Sequence, residues 1–197
     1  FTALSFKTHP KPNFSNMSRL ENLTVDNRSA KCKFIRIFKV AAYGHTEAVY
    51  SELKPMIERG CRLATHLYSG MNGVTRREGL RRLGGVETAY LEDSVTVEAI
   101  ADGIHLPPEL LRLIYRIKGA DGICLVTDSM RAAGMPEGES VLGKHDNGLP
   151  VIVEDGVAKL TDRSAFAGSI ATADRLVRNM LRAGVSLPEA VEMVTVN

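Results

Sequence analysis

Three apolar runs end in side chains that bind metals or move protons. Ala41-Ala42-Tyr43-Gly44 leads into His45, Leu63-Ala64-Thr65 into His66, and Ile123-Cys124-Leu125-Val126-Thr127 into Asp128. A buried strand that delivers one imidazole or carboxylate at its C-terminal tip is how a parallel α/β barrel presents ligands and catalytic groups. Two imidazoles on neighbouring strand ends, about 5 Å apart across a sheet, can share one divalent cation of the zinc or iron type. A carboxylate beside a water activated by that cation can accept its proton and pass it to a leaving amine. The chemistry to expect is metal-assisted hydrolysis.

Each of these residues also has a plainer role open to it. A lone His45 could be a core or capping histidine, and Asp128 a turn or helix cap. The pairing is what weighs against this: His66 follows His45 by 21 residues, one strand-helix unit, at the equivalent strand end. Asp102-Gly103-Ile104-His105 closes another apolar run, and spacing leaves open whether His105 meets substrate or supports a neighbour. Arg76-Arg77-Glu78 is either a solvated surface pair or a source of cations for an anionic substrate.

Size and composition fit an ordinary soluble domain, alone or with a small appendage: 197 residues, 44% hydrophobic and 24% charged. The net charge of +2 gives no argument for nucleic acid. It is unevenly placed, with eight Lys/Arg against two acidic residues in positions 1–40. No apolar run approaches the ~20 residues that span a membrane, and no signal-peptide core is visible. The three cysteines form no C-x-x-C spacing and their odd number argues against a disulfide framework, so a reducing cytoplasm is expected.

The elements that must position these groups begin near residue 38. Residues 1–37, rich in Ser, Asn, Thr and Lys, read as a poorly ordered leader. Lys39–Gly44 reads as a strand. A helix capped by Thr46 follows, with Val49, Leu53, Met56 and Ile57 on one stripe, a kink at Pro55 and an end at Gly60. Arg62–His66 and Ser94–Asp102 are the next strands. A helix from Pro107-Pro108 to Gly119 and a strand over Asp121–Thr127 come after. Such serial units demand parallel pairing with right-handed crossovers. Between about 140 and 162 the period changes to a β-hairpin around Glu154-Asp155-Gly156. A helix over about Ile170–Ala183 ends at Gly184, and the capping box Ser186-Leu187-Pro188-Glu189 starts another.

Ala64-Thr65-His66-Leu67-Tyr68-Ser69-Gly70-Met71, followed by Arg77-Glu78, resembles the signature A-T-H-L-(Y/F)-N-A-M…R-E of N-acetylglucosamine-6-phosphate deacetylases, in the amidohydrolase superfamily. Gly44-His45-Thr46, the Asp102–His105 segment, Leu125–Asp128 and Ala167-Gly168-Ser169 match in the same order. The resemblance runs from about Val40 to the C-terminus. It implies the C-terminal half of a TIM-like (β/α)8 metal-dependent hydrolase barrel over residues 38–197, with the hairpin as a small appendage. It implies that N-acetylglucosamine-6-phosphate is hydrolysed to glucosamine-6-phosphate and acetate by a metal-activated water. His45 and His66 would be ligands of a divalent ion, zinc or iron, and Asp128 the catalytic acid/base. Ser69, Arg77 and His105 would contact the amino-sugar phosphate, with Arg77 serving a neighbouring subunit of a homodimer.

Three departures accompany the match. Ser69 stands where the family has Asn, and Gly70 replaces the usual Ala, which reads as a minor change. The family's upstream Glu ligand and early H-x-H motif are not found in residues 1–44, so the chain reads as truncated. A remnant that binds sugar phosphate or self-associates without catalysis is therefore the alternative. Another amidohydrolase, acting on cyclic amides, is disfavoured by Arg77 and the His66-Leu67-Tyr68 turn.

Overall fold

The structure is a computed structural model and describes residues 33–37, 40–144 and 146–197. Residues 1–32 of the expected leader lie outside the described residues. Its last five residues depart from the expectation: Lys33–Ile37 forms strand β1, antiparallel to β2 (Val40–Gly44), with Lys33 opposite Gly44. Phe34, Ile35 and Ile37 favour a strand, a preference masked by the polar composition upstream.

By internal contacts the chain divides within β6 (Thr96–Ile100), one unit running to Val97 and the other from Glu98 onward to Thr195. In the first unit β2 leads to α1 (Tyr50–Glu58) and then to β3 (Cys61–Ala64), which pairs parallel to β2 with Tyr43 opposite Ala64. The first residues of β6 pair parallel to β3, Leu63 opposite Thr96. With β7 (Ile123–Val126) the sheet order is β1-β2-β3-β6-β7. The parallel pairing expected from the strand-helix rhythm is present, with antiparallel β1 added at one edge. Two further elements lie between β3 and β6. They are a hairpin of β4 (Thr75–Arg77) and β5 (Leu80–Arg82), and α2 (Gly85–Leu91). Glu78 and Gly79 both adopt positive φ, 53° and 80°, the two-residue turn that suits a hairpin's twist.

Thr46 does not cap α1 as expected. Its hydroxyl accepts from the Ala48 N–H at 3.0 Å, and the helix starts four residues later, beyond Val49. There the Glu52 carboxylate reaches back to the Val49 N–H at 2.8 Å, satisfying one of the orphan donors of the first turn. Pro55 lies inside α1 and the helix continues past it to Glu58. Leu53, Ile57, Tyr43, Ala64, Leu67, Val86 and Ala89 are buried in this unit. Tyr43 also donates its hydroxyl to the Gly85 carbonyl at 3.0 Å, tying β2 to α2.

The second unit carries α3 (Pro108–Lys118), β7, β8 (Gly138–Leu142), β9 (Leu149–Glu154), β10 (Val157–Leu160), β11 (Phe166–Ser169), α4 (Ala173–Arg182) and α5 (Leu187–Thr195). The expected hairpin is β9–β10, with Asp155 and Gly156 at φ 54° and 74° in its turn. It is larger than a small appendage: β8 and β11 flank it in a four-stranded antiparallel sheet ordered β11-β10-β9-β8. Met130, Ala132, Val151, Val153, Ala158 and Ala167 form its core. Short runs such as Gly138–Leu142 lack the apolar alternation that would announce a strand, which is why β8 was not expected. The Ser186 cap of α5 is as expected, its hydroxyl and the Glu189 N–H lying 3.5 Å apart. Among the described residues no helix is long and apolar enough to cross a membrane.

Candidate functional site

His45 follows the last residue of β2, and His66 lies two residues beyond β3, in the turn over residues 65–70. Because Tyr43 and Ala64 are register partners, the two histidines leave the sheet side by side. Their ring centroids are 4.6 Å apart with the rings nearly perpendicular, at 78°. His45 is exposed and His66 half-buried. The two turns are joined by a parallel bridge between Thr46 and Met71, and Asn72 adds hydrogen bonds from its side-chain amide to the Glu47 carbonyl (3.1 Å) and from the Gly85 N–H to its Oδ1 (3.3 Å).

Both histidines hold left-handed backbone, φ 45° and 33°. For a residue with a Cβ this costs about 1–2 kcal/mol. Such outliers persist where the surrounding structure over-determines them, and they gather at functional sites. Glycines make the geometry possible. A Cβ on Gly44 would fall 2.3 Å from Thr65 Cγ2, so the two strand ends approach only because residue 44 is glycine. Gly70, at φ 64°, would place a Cβ 2.4 Å from His45 Nδ1. The exchange of Ala for Gly at this position is therefore not minor, because the imidazole of His45 lies where an alanine methyl would be.

Tyr68 shares the turn and is also left-handed, at φ 76°. Its hydroxyl lies 2.9 Å from that of Tyr90 on α2, and burial followed by this hydrogen bond pushes the Tyr90 phenol far up. Ser69 closes the turn through its N–H to the His66 carbonyl at 2.9 Å. Arg77, on β4, is half-exposed; its guanidinium donates to the Glu47 carbonyl at 3.3 Å and pairs with Glu52 at 3.5 Å.

In the second unit, Asp128 stands two residues beyond β7 and is exposed, and it too is left-handed at φ 46°. Its backbone is clamped by β11: the Ser169 N–H donates to the Asp128 carbonyl at 3.0 Å, and the Met130 N–H to the Ser169 carbonyl at 2.9 Å. Three of the residues singled out in the sequence thus share one unusual backbone state just beyond the ends of β2, β3 and β7. His105 lies five residues beyond β6, where its Nδ1 is 2.7 Å from Asp102 Oδ2. Asp102 also accepts at Oδ1 from the N–H groups of Ile104 and His105, both at 2.8 Å. Burial opposes ionisation of Asp102, but the His105 hydrogen bond and the two amides outweigh it and hold the carboxyl below its usual range. The Asp102–His105 segment stands out in the sequence, but the pairing of its two ends does not. The i, i+3 spacing across a glycine was the available signal.

The donor chemistry of His45 and His66 suits a borderline divalent cation. Catalytic zinc takes three protein ligands. Among the described residues no group of three or more His, Cys, Asp or Glu side chains comes together to hold a metal. The two imidazoles fit two positions of such a site.

No family model matches the chain. An N-acetylglucosamine-6-phosphate deacetylase of Lysinibacillus sphaericus is 38% identical over 159 residues, 80% of this chain and 39% of the relative. An Escherichia coli protein provisionally named N-acetylgalactosamine-6-phosphate deacetylase is 35% identical over 133 residues, 67% of this chain and 74% of that protein. The chain belongs to the N-acetylglucosamine-6-phosphate deacetylase family. Crystal structures agree. The Thermotoga maritima family member matches with a TM-score of 0.68 and 35% identity, over 76% of this chain and 39% of that one. A mutant of the Mycobacterium smegmatis enzyme, crystallised with N-acetyl-D-glucosamine-6-phosphate, matches at 0.68 with 34% identity, over 78% and 39%. The chain thus spans about two-fifths of the length of the first of these relatives.

Proposed function

We propose that this chain carries part of the active site of an N-acetylglucosamine-6-phosphate deacetylase, releasing glucosamine-6-phosphate and acetate. The observation that supports it most is the pair of imidazoles, 4.6 Å apart on adjacent strand ends and both in left-handed backbone, within the family's signature. In this reading β2, β3, β6 and β7 are four of the eight strands of a (β/α)8 barrel.

His45 and His66 would hold a divalent ion, zinc or iron. Bound there, the ion supplies Lewis acidity that polarises the acetyl carbonyl and lowers the pKa of water. Asp128 accepts a proton from the water that attacks the acetyl carbon, then delivers it to the sugar nitrogen as the C–N bond breaks. The products are acetate and a free amine. Ser69 and His105 orient the sugar phosphate. Arg77 offers a guanidinium to the phosphate, in a homodimer that of a neighbouring copy, and must exchange its contact with Glu52 to do so.

Acetate release by the 197-residue chain, supplied with zinc or ferrous iron, tests this. Turnover of N-acetylglucosamine-6-phosphate, with little from the unphosphorylated sugar, is the expected result. Absence of acetate above the blank with either metal would remove the catalytic reading. The donor count favours a second reading in that event, a chain that binds sugar phosphate or self-associates without turnover. Equilibrium binding of the phosphorylated sugar would then separate it from a chain with no affinity.

A further inference from the structure

We infer that Asp102 is a positioning residue that fixes His105 as an Nδ1–H donor and leaves Nε2 as the nitrogen that meets the phosphorylated sugar. The inference rests on the proposed function for the identity of the ligand, but not for the geometry of the pair.

The Asp102 carboxylate is fully buried and the His105 side chain is 8% exposed, so neither is a surface ion pair with freedom to part. An ionised carboxylate only accepts hydrogen bonds. With Oδ1 taken by two backbone amides, the contact at 2.7 Å between Oδ2 and Nδ1 requires the proton to sit on Nδ1. That fixes which face of the imidazole remains for a ligand. The ring is backed by Phe166, with centroids 4.8 Å apart.

The backbone that bears the carboxylate is held from α4. Asn179, buried at 4% exposure, donates its amide to the Ala101 carbonyl at 2.8 Å and accepts from Arg182 at 2.9 Å. Gly103, at φ 81°, would bring a Cβ to 2.9 Å from the Asn179 amide nitrogen, so the turn bearing Asp102 is pressed against this side chain. A cap serving only the turn would need Oδ1 and its two amides. The buried contact from Oδ2 to the ring is the additional feature that assigns the positioning role.

Two measurements on the 197-residue chain decide it. The first needs no variant: the long-range 15N–1H spectrum of neutral His105 should show the proton on Nδ1, and a proton on Nε2 alone would overturn the inference. The second compares dissociation constants for N-acetylglucosamine-6-phosphate. Asp102→Asn keeps an acceptor for the two amides but turns an N–H toward the ring. It should weaken binding about ten- to a hundredfold, the size of a lost hydrogen bond to a charged group. On a His105→Gln background the same change should have almost no further effect. A folded Asp102→Asn variant that binds within twofold of wild type, or effects that add in the double variant, would overturn it. Should the wild-type chain fail to bind the phosphorylated sugar, the functional reading falls, and the His105 spectrum alone decides whether Asp102 fixes the ring.

Discussion

Left-handed backbone at residues other than glycine occurs both in the β8–β11 sheet and at the ends of the parallel strands, but for different reasons. Asp155 precedes Gly156 in the β9–β10 turn, where two successive positive φ values match the twist of the hairpin and Asp tolerates the state. Its carboxylate is exposed and pairs with Lys159. His45, His66 and Asp128 close no hairpin. A residue just beyond β2, β3 or β7 has no two-residue hairpin turn to make. Strain in the first region is turn chemistry. In the second it sets where the proposed site residues sit, and neighbouring bridges and glycines hold it there.

If that distinction is right, the largest effect should come from Asp128→Asn. Loss of a positioned proton acceptor lowers turnover by about 10²–10⁴, and acetate release at saturating substrate would read it while the thermal transition stays in place. A similar loss at Asp155→Asn would break the distinction. Gly70→Ala comes next. The added methyl, the group the family signature carries here, forces either the backbone or the His45 ring to move, so zinc affinity should change measurably. Unchanged affinity in a metal titration would show that the ring is not confined by residue 70.

A smaller effect sharpens the strain argument. His66→Gly and His66→Ala both remove the imidazole, but only glycine relaxes the left-handed state. Chemical unfolding should find the glycine variant about 1 kcal/mol more stable than the alanine variant. Equal stabilities would mean that His66 carries no backbone strain.

The smallest effect concerns pH. The Asp102 carboxyl is held below its ordinary 3.8 in the folded chain. Its stabilising contribution is therefore complete above about pH 4 and is lost as pH falls through the lower, folded value. The stability difference between wild type and Asp102→Asn should shrink as pH falls below about 4. A difference that grows on acidification would reverse the sign.

The parallel strands and most helices were legible because each carries its own local signals: a short apolar run, an apolar stripe, Pro107-Pro108 at a helix start, Gly119 and Gly184 at helix ends. The Asp155-Gly156 hairpin was legible for the same reason. What escaped the sequence depended on partners far along the chain. β1 is a strand because it pairs with β2. β8 carries Gly138 and Glu139, which announce nothing until β9 lies beside them. α2 begins at Gly84-Gly85, a poor helix signal, and is secured by Tyr43 and Asn72 from distant positions. The strand-end positions of His45, His66 and Asp128 could be read from residue type and spacing. Their shared left-handed backbone, the room that Gly70 leaves and the burial of Asp102 against His105 could not.

Zinc bound per chain, compared between wild type and a variant carrying both His45→Ala and His66→Ala, tests the account most directly. Wild type should bind about one zinc, and the double variant less than about a tenth of one at the same free concentration. Equal occupancy in the two proteins, or none in the wild type, would contradict the claim that these two strand ends form a metal-binding pair.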